Sequence, residues 1–215
     1  MWYMTALRFG CIQPYSTSTT RKCPPENPCR GSGCSFLPDS AGMGCEIYEN
    51  TYNAGLRNAQ WWGMRGGKAL VYNNYYVGDA PSVFGLYRDE YDDRLGPGVP
   101  VHAITGQPQH VSESYSWNNM QGAKRIEPVI TEQIDYGGTI GVVPQFDKDC
   151  WKQADSFNGS TGMGVGLLSG RPSTNLKPGV GYWATDKKTL YRATGSSTWE
   201  AIYMPYQYPH PLRGE

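Results

Sequence analysis

One short segment of the sequence concentrates the side chains that could break a glycosidic bond. From residue 87 to 94 the chain reads Tyr-Arg-Asp-Glu-Tyr-Asp-Asp-Arg, which includes Asp89, Asp92 and Asp93. Hydrolysis of a glycosidic bond uses two carboxyl groups about 5–10 Å apart. β-Elimination instead uses a base together with a cation such as calcium, held by carboxylates. Asp89, Asp92 and Asp93 are therefore the candidate catalytic residues and, in the second reaction, the candidate calcium ligands.

The favoured interpretation of this segment is nevertheless a solvated charge run, because all its acidic residues lie in a single local stretch. Arg65 is the candidate base for elimination. It stands in Arg65-Gly66-Gly67, where the glycines suit a turn and the arginine is more simply explained by an ion pair with a neighbouring acid. The sequence predicts no resident cofactor, with calcium as the alternative.

Aromatic residues indicate binding more strongly than any catalytic pattern does. A flat ring can stack on the apolar C–H face of a sugar, while amide and carboxylate groups take its hydroxyls. The alternative is that about half of these rings pack inside the protein, since Tyr and Trp are intermediate in burial. The candidate carbohydrate-binding residues are Trp61, Trp62, Tyr75, Tyr76, Tyr87 and Tyr91.

The charge balance narrows the class of partner. The 215 residues carry 19 Lys+Arg and 19 Asp+Glu, which gives a formal net charge of zero. Such a chain lacks the basic surface that nucleic acid or an anionic membrane requires, so a neutral polysaccharide or surface glycan fits better. No apolar run reaches the length of about 18 residues that a membrane span needs.

Six cysteines predict disulfides and an extracellular setting. Five of them fall in the first 45 residues, in a Pro- and Gly-rich stretch with little apolar sequence to order it. A zinc site is the alternative, but no C-x2-C pair occurs and no histidine stands near them. Six cysteines allow 15 pairings, and the spacing does not choose among them. The predicted disulfide residues are Cys11, Cys23, Cys29, Cys34, Cys45 and Cys150.

A repeat of short strands ending at asparagine indicates the elements that would position these residues. Segments 47–52, 71–76 and 115–120 each contain an apolar or aromatic strand followed by Asn50, Asn74 or Asn119. The intervals are 74 − 50 = 24 and 119 − 74 = 45 residues, close to one and two periods. A period in the twenties is typical of solenoids, in which equivalent asparagines of successive coils hydrogen-bond in a ladder.

These segments carry a resemblance. Cys45 to Thr51, and Trp62 to Asn74 with its Arg-Gly-Gly, look like consecutive coils of pectate-lyase-like right-handed parallel β-helix proteins, which are extracellular. Later segments, such as 156–166 and 181–186, resemble the C-terminal ends of such bacterial proteins. The resemblance implies either glycan binding or a polysaccharide lyase or glycoside hydrolase activity.

The predicted fold is all-β, with a right-handed parallel β-helix, a small C-terminal β-meander cap and disulfide-stapled N-terminal loops. Residues 1–44 form the loop segment, 45–150 the coils with an insertion at 78–110, and 151–215 the meander followed by a Pro-rich strap. Strand patterns at 181–184, 189–193 and 199–203 predict the meander.

Two functions remain open at this point. The first is an extracellular, non-catalytic protein that binds carbohydrate or takes part in a surface assembly, through self-association or through a second chain that completes the solenoid. The second is a polysaccharide lyase or glycoside hydrolase. The first residues lack the pattern of a signal peptide, so export information is expected elsewhere, or the chain is a piece of a longer protein.

Overall fold

The described part of the chain consists almost entirely of β-strands. In the computed structural model it comprises residues 9–11, 44–53, 62–64, 67–77, 84–87, 111–131 and 144–205. The strands are β1 Phe9–Cys11, β2 Gly44–Tyr48, β3 Thr51–Asn53, β4 Trp62–Met64, β5 Lys68–Tyr72, β6 Tyr75–Val77, β7 Phe84–Tyr87, β8 Ser114–Trp117, β9 Met120–Gln121, β10 Lys124–Arg125, β11 Val129–Thr131, β12 Cys150–Lys152, β13 Met163–Gly166, β14 Gly181–Ala184, β15 Thr189–Ala193 and β16 Trp199–Tyr203. The described residues include one short 3-10 helix, Leu168–Gly170, and no helix that is long and apolar enough to span a membrane. The predicted all-β class is confirmed for these residues.

The strands form four sheets. Sheet I has the order β1-β2-β5-β8-β12, sheet II β10-β9-β6-β3, sheet III β11-β7-β4 and sheet IV β13-β14-β15-β16. The chain visits sheets I, II and III in the same order as β2-β3-β4 and again as β5-β6-β7, and the third passage is β8, β9 with β10, and β11. Strands of successive passages pair in parallel, as in β2 with β5 and β5 with β8. The antiparallel pairs in these three sheets are β1 with β2 and β10 with β9.

The predicted asparagine ladder is confirmed at the turns between sheets I and II. The side-chain amide of Asn50 donates to Oδ1 of Asn74 over 3.1 Å, and the amide of Asn74 donates to Oδ1 of Asn119 over 2.8 Å. All three asparagines are buried. The hydrogen-bonded asparagines are 24 and 45 residues apart in the chain. Each of these intervals separates two neighbouring passages of the chain, although the second is nearly twice as long as the first.

A left-handed residue precedes each asparagine of the ladder. Glu49, Asn73 and Asn118 have φ values of 54°, 53° and 52°. This conformation turns the chain sharply from sheet I into sheet II, and asparagine adopts it more readily than most residues do. The same backbone turn is thus repeated in register on three successive passages.

Sheet I separates two apolar clusters because alternate residues of a strand project from opposite faces. On the inner face, Ile47, Ala69, Val71 and Cys150 pack with Tyr76 of sheet II. On the outer face, the rings of Tyr48 and Tyr72, and then of Tyr72 and Trp117, are stacked nearly parallel at centroid distances of 5.0 and 4.3 Å.

Sheet IV covers this outer face. Its strands β14, β15 and β16 occupy the three predicted meander segments and pair in antiparallel fashion, while β13 is parallel to β14. Trp183 of β14 lies 5.7 Å from the ring of Tyr72 and 5.1 Å from that of Trp117. Sheet IV was expected to cap one end of the stacked strands. Instead, Trp183 contacts residues of two neighbouring strands, β5 and β8, on the outer face of sheet I.

Cys150 was predicted to form a disulfide, and the structure shows no disulfide at this residue. It is a buried free thiol on β12, and burial raises its pKa to about 12. Cys11 and Cys45 are partners in the antiparallel register of β1 and β2. Cys23, Cys29 and Cys34 lie outside the described residues. The disulfides expected of the other five cysteines remain a prediction.

Candidate functional site

Six aromatic residues were expected to bind carbohydrate, and the structure describes the side-chain exposure of two of them, Tyr75 and Tyr76. Tyr75 is the exposed one. It is 45% exposed, whereas its neighbour Tyr76 is 2% exposed and packs in the inner cluster with Ile47 and Val71. The two rings project from opposite faces of β6 because successive residues of a strand alternate. Tyr75 can therefore meet a ligand, and Tyr76 instead supports the strand from within.

Tyr75 belongs to a row of side chains across the outer face of sheet II. Thr51 is its register partner on β3, Met120 its partner on β9, and Arg125 is opposite Met120 on β10. Register partners share a face of the sheet, and Thr51 is exposed like Tyr75. We call Thr51, Tyr75, Met120 and Arg125 the Tyr75 row.

Acidic residues hold the arginine at the end of this row. Nε of Arg125 donates to Oε1 of Glu127 over 2.7 Å, and its Nη2 group donates to Oδ1 of Asp155. Partial burial by itself would lower the pKa of Arg125, but these hydrogen bonds and charges more than offset it, so the pKa is raised. The side chain of Asp155 is 93% exposed, so the ion pair opens onto solvent.

The Tyr75 row and its acids can provide both parts of a sugar-binding surface. The ring of Tyr75 supplies an apolar, electron-rich face for sugar C–H groups. The hydroxyl of Thr51 and the carboxylate oxygens of Glu127 and Asp155 can hydrogen-bond to sugar hydroxyls. One arginine and two carboxylates sum to a charge of about −1, which favours a neutral over an anionic glycan.

A second polar cluster lies where sheet IV meets sheet I. The hydroxyl of Tyr203 donates to Oε2 of Glu46 over 2.9 Å and is 2.9 Å from the hydroxyl of Tyr72. Burial is the main cause that raises the pKa values of Tyr72 and Tyr203 far above the ordinary value for tyrosine. Both phenols stay protonated at neutral pH, so neither acts as a base, and their hydrogen bonds fasten β16 to sheet I.

A chain of ion pairs joins the same two sheets at another point. Glu113 accepts from Lys68 of β5 and from Arg192 of β15, and Arg192 also donates to Glu200 over 3.0 Å. The hydrogen bond from Lys68 is the main cause that lowers the pKa of Glu113, with the charge of Arg192 adding to it. Every charge in this chain has an opposite partner, which suits a structural role.

The catalytic candidates lie outside the described residues. These are Arg65, Asp89, Asp92 and Asp93, and with the last three goes the expected calcium site. Trp61 and Tyr91 also lie outside, while Trp62 and Tyr87 fall on β4 and β7 of sheet III. Within the part of the chain that the structure describes, no three His, Cys, Asp or Glu residues come together as metal ligands would.

Comparisons with protein families, curated proteins and solved structures found no match to this chain.

Sequence reasoning missed Arg125, Glu127 and Asp155 as neighbours of an aromatic candidate. The 45-residue interval of the repeat was the available signal, since 75 + 45 = 120 places Met120 beside Tyr75. Arg125 joins the row because the chain turns back after β9 and forms the antiparallel strand β10, and the repeat interval does not predict this turn. Asp155 reaches Arg125 only through the tertiary fold.

Proposed function

We propose that this chain is an extracellular, non-catalytic right-handed parallel β-helix protein that binds a neutral polysaccharide on the outer face of sheet II. The observation that carries the proposal is the exposed ring of Tyr75 on the same face of sheet II as Arg125, whose ion pair with Asp155 reaches solvent. The extracellular setting rests on the cysteine-rich first 45 residues.

The repeated order of sheets supports the helical part of the proposal. Three passages through sheets I, II and III, with parallel pairing and a ladder of asparagines, are what successive coils of a solenoid would produce. The right hand follows from the strong preference of crossovers between parallel strands. Sheet IV would then shield one flank of the coils, because it packs on the outer face of sheet I.

The proposed binding role depends on which sheet faces are exposed to solvent in the described structure. The outer face of sheet I packs against sheet IV. On sheet II, Thr51, Tyr75 and Val77 are exposed on successive positions of one face. A flat face with one aromatic ring and polar neighbours suits an extended sugar chain better than a small ligand that requires a cavity.

The test is binding to insoluble and soluble neutral polysaccharides, such as cellulose, xylan, mixed-linkage glucan and chitin, with polygalacturonate and alginate as anionic comparators. Tyr75→Ala should weaken binding about tenfold, the equivalent of roughly 1.4 kcal/mol. Tyr75→Phe should retain most of the affinity because it keeps the ring. Val129→Ala is the matched control, since Val129 is 46% exposed but lies on β11 of sheet III, away from the proposed binding face.

Equal affinity of Tyr75→Ala and the wild type would remove the Tyr75 row from the binding site. Tighter binding of polygalacturonate than of every neutral glycan would contradict the preference for neutral ligands. Retention of none of these polysaccharides by the folded wild-type protein would contradict the binding function itself.

Polysaccharide lysis or hydrolysis is the second candidate. Adjacent strands β5 and β8 pair although 45 residues separate their register partners, so this passage contains a long insertion with Asp89, Asp92 and Asp93 between β7 and β8. Release of reducing ends or unsaturated uronates, with and without calcium, tests it. Activity that Asp89→Asn, Asp92→Asn or Asp93→Asn abolishes would replace the non-catalytic proposal.

Self-association is a further part of the structural alternative. Among the described strands, a second chain could add at the edge strands β1, β3 and β4 at one end of the sheets, or at β12, β10 and β11 at the other. A sedimentation mass well above 23.9 kDa would support assembly. A monodisperse monomer would exclude it.

A further inference from the structure

We infer that Cys11 and Cys45 form a disulfide that joins β1 to sheet I, and that Cys150 remains a reduced thiol in the same oxidised protein. The inference is independent of the proposed glycan binding. It assigns Cys45 as the partner of Cys11, which the sequence left open, and it uses the backbone register alone.

The register of β1 and β2 sets the two residues opposite each other. The antiparallel pair aligns Phe9 with Ile47, Gly10 with Glu46, and Cys11 with Cys45. Directly opposite residues of antiparallel strands have Cα atoms about 4.5–5.5 Å apart. Disulfides span Cα distances of about 4.4–6.8 Å, so the separation expected from this register lies within their range.

Cys150 is excluded as a partner of Cys45 by its place in sheet I. Cys45 is opposite Ala69, Cys150 is opposite Ser114, and β5 and β8 are neighbours, so three strand spacings separate the two cysteines. At about 4.8 Å per spacing the distance is about 14 Å, twice the upper limit for a disulfide. Cys11 is one strand further away. The thiol of Cys150 is also buried and donates to the carbonyl of Gln145.

The bond would stabilise the pairing of β1 with β2, because β1 is short and lies far from β2 along the chain. Strand β1 is three residues long, and the segment 12–43 separates it from β2. Bringing together strands so far apart in the chain has an entropic cost that rises with the length of the loop. A covalent link removes most of this cost from the folding equilibrium.

The chemistry needs an oxidant, and a low-molecular-weight disulfide such as oxidised glutathione supplies it. The two thiols lose two protons and two electrons as the S–S bond forms. The glutathione disulfide accepts both and is released as two molecules of reduced glutathione. Cys150 does not exchange under these conditions because burial keeps its thiol protonated and inaccessible.

The experiment is linkage mapping of the full chain after equilibration in a glutathione redox buffer. Free thiols are blocked with N-ethylmaleimide in denaturant, and the protein is then cleaved with trypsin and with cyanogen bromide. Cleavage after Arg8, Arg21, Met43 and Arg57 places Cys11 in fragment 9–21 and Cys45 in fragment 44–57, apart from the other cysteines. A disulfide-linked pair of these two fragments is expected, together with blocked, unlinked Cys150.

Three variants keep the result specific. Cys11→Ser should release Cys45 as a blockable thiol, and Cys45→Ser should release Cys11. Cys150→Ser is the control and should leave the 9–21/44–57 pair unchanged. Recovery of Cys11 or Cys45 linked to Cys23, Cys29, Cys34 or Cys150 in the wild type would overturn the inference, and so would recovery of both as free thiols.

Discussion

Asn74 is the residue on which the repeated turns depend most directly. Its Oδ1 accepts from both the backbone and the side-chain nitrogen of Asn50, and its Nδ2 donates to the carbonyl of Ile47 and to Oδ1 of Asn119. The amide is buried, so water cannot replace these partners. A single side chain thus connects three successive passages of the backbone.

Asn74→Ala is expected to lower the free energy of unfolding by about 2–4 kcal/mol, because it leaves several buried polar groups without partners. Urea denaturation measures the change. Asn73→Gly is the matched control: the hydrogen bond that its Oδ1 accepts from Asn118 is exposed to solvent, and glycine keeps the left-handed conformation, so a loss of no more than about 1 kcal/mol is expected. Equal losses for the two variants would show that the ladder does not stabilise the fold.

The second prediction at this scale concerns Glu113 and pH. Its pKa is lower in the folded protein than in an unfolded chain, so its ion pairs stabilise the fold above the ordinary carboxyl pKa and are lost as the pH falls through the folded value. Because the side chain is 38% exposed, the contribution at pH 7 is only about 0.5–1 kcal/mol.

Glu113→Gln should therefore be less stable than the wild type at pH 7, and the difference should vanish in acid once Glu113 is protonated. Urea midpoints of both proteins across this pH range measure it. A difference that persists unchanged at the acid end would mean that packing, and not charge, is what the substitution disturbs. Added salt should reduce the difference at pH 7 as well.

At the scale of elements, the contact between sheet IV and sheet I depends on close approach at Gly179. Its φ is +95°, and a Cβ built there would lie 2.4 Å from Cζ2 of Trp151. Its carbonyl also accepts the hydroxyl of Tyr115 over 2.8 Å. The chain enters β14 at this point, so the absence of a side chain lets sheet IV lie against the outer face of sheet I.

Gly179→Ala should destabilise the protein by about 2–5 kcal/mol, as the sum of left-handed strain and a clash with an indole. Gly122→Ala is the matched control, since its φ is +59° and nothing lies within 4 Å of the added Cβ. It should cost only the strain, about 1–2 kcal/mol. Thermal or urea unfolding of both variants measures the difference, and equal losses would contradict the close packing on Trp151.

At the scale of the whole molecule, sheets I and IV share one apolar cluster. Tyr72 and Trp117 of sheet I pack in it with Val180, Trp183 and Leu190 of the C-terminal part. The Glu113–Arg192 and Glu46–Tyr203 contacts cross the same boundary. Neither part can expose this surface without a large loss of buried apolar area.

The described parts are therefore expected to unfold as one cooperative unit. Urea transitions followed by tryptophan fluorescence and by far-ultraviolet circular dichroism should coincide. Hydrogen exchange should give similar protection for segments 44–50 and 181–193 near the transition. Exchange of sheet IV at much lower urea than the ladder strands would show instead that the C-terminal part is an independent unit.

The sequence by itself determined the elements and their repeat. Asparagines at 50, 74 and 119 predicted the ladder, and alternating patterns predicted β14, β15 and β16, because local propensity and periodicity are properties of short segments. Both Tyr75 and Tyr76 were predicted to bind carbohydrate, although successive residues of one strand face opposite sides of its sheet.

Only the tertiary structure decided which of the two rings is exposed. Alternation predicts that neighbouring residues face opposite sides of the sheet, but it does not predict which side packs against the rest of the protein. It also joined Arg125 to Asp155, packed sheet IV on the outer face of sheet I, and left Cys150 as a buried thiol. Each of these depends on contacts between residues far apart in the chain, and the energies that select such contacts arise only when the faces pack.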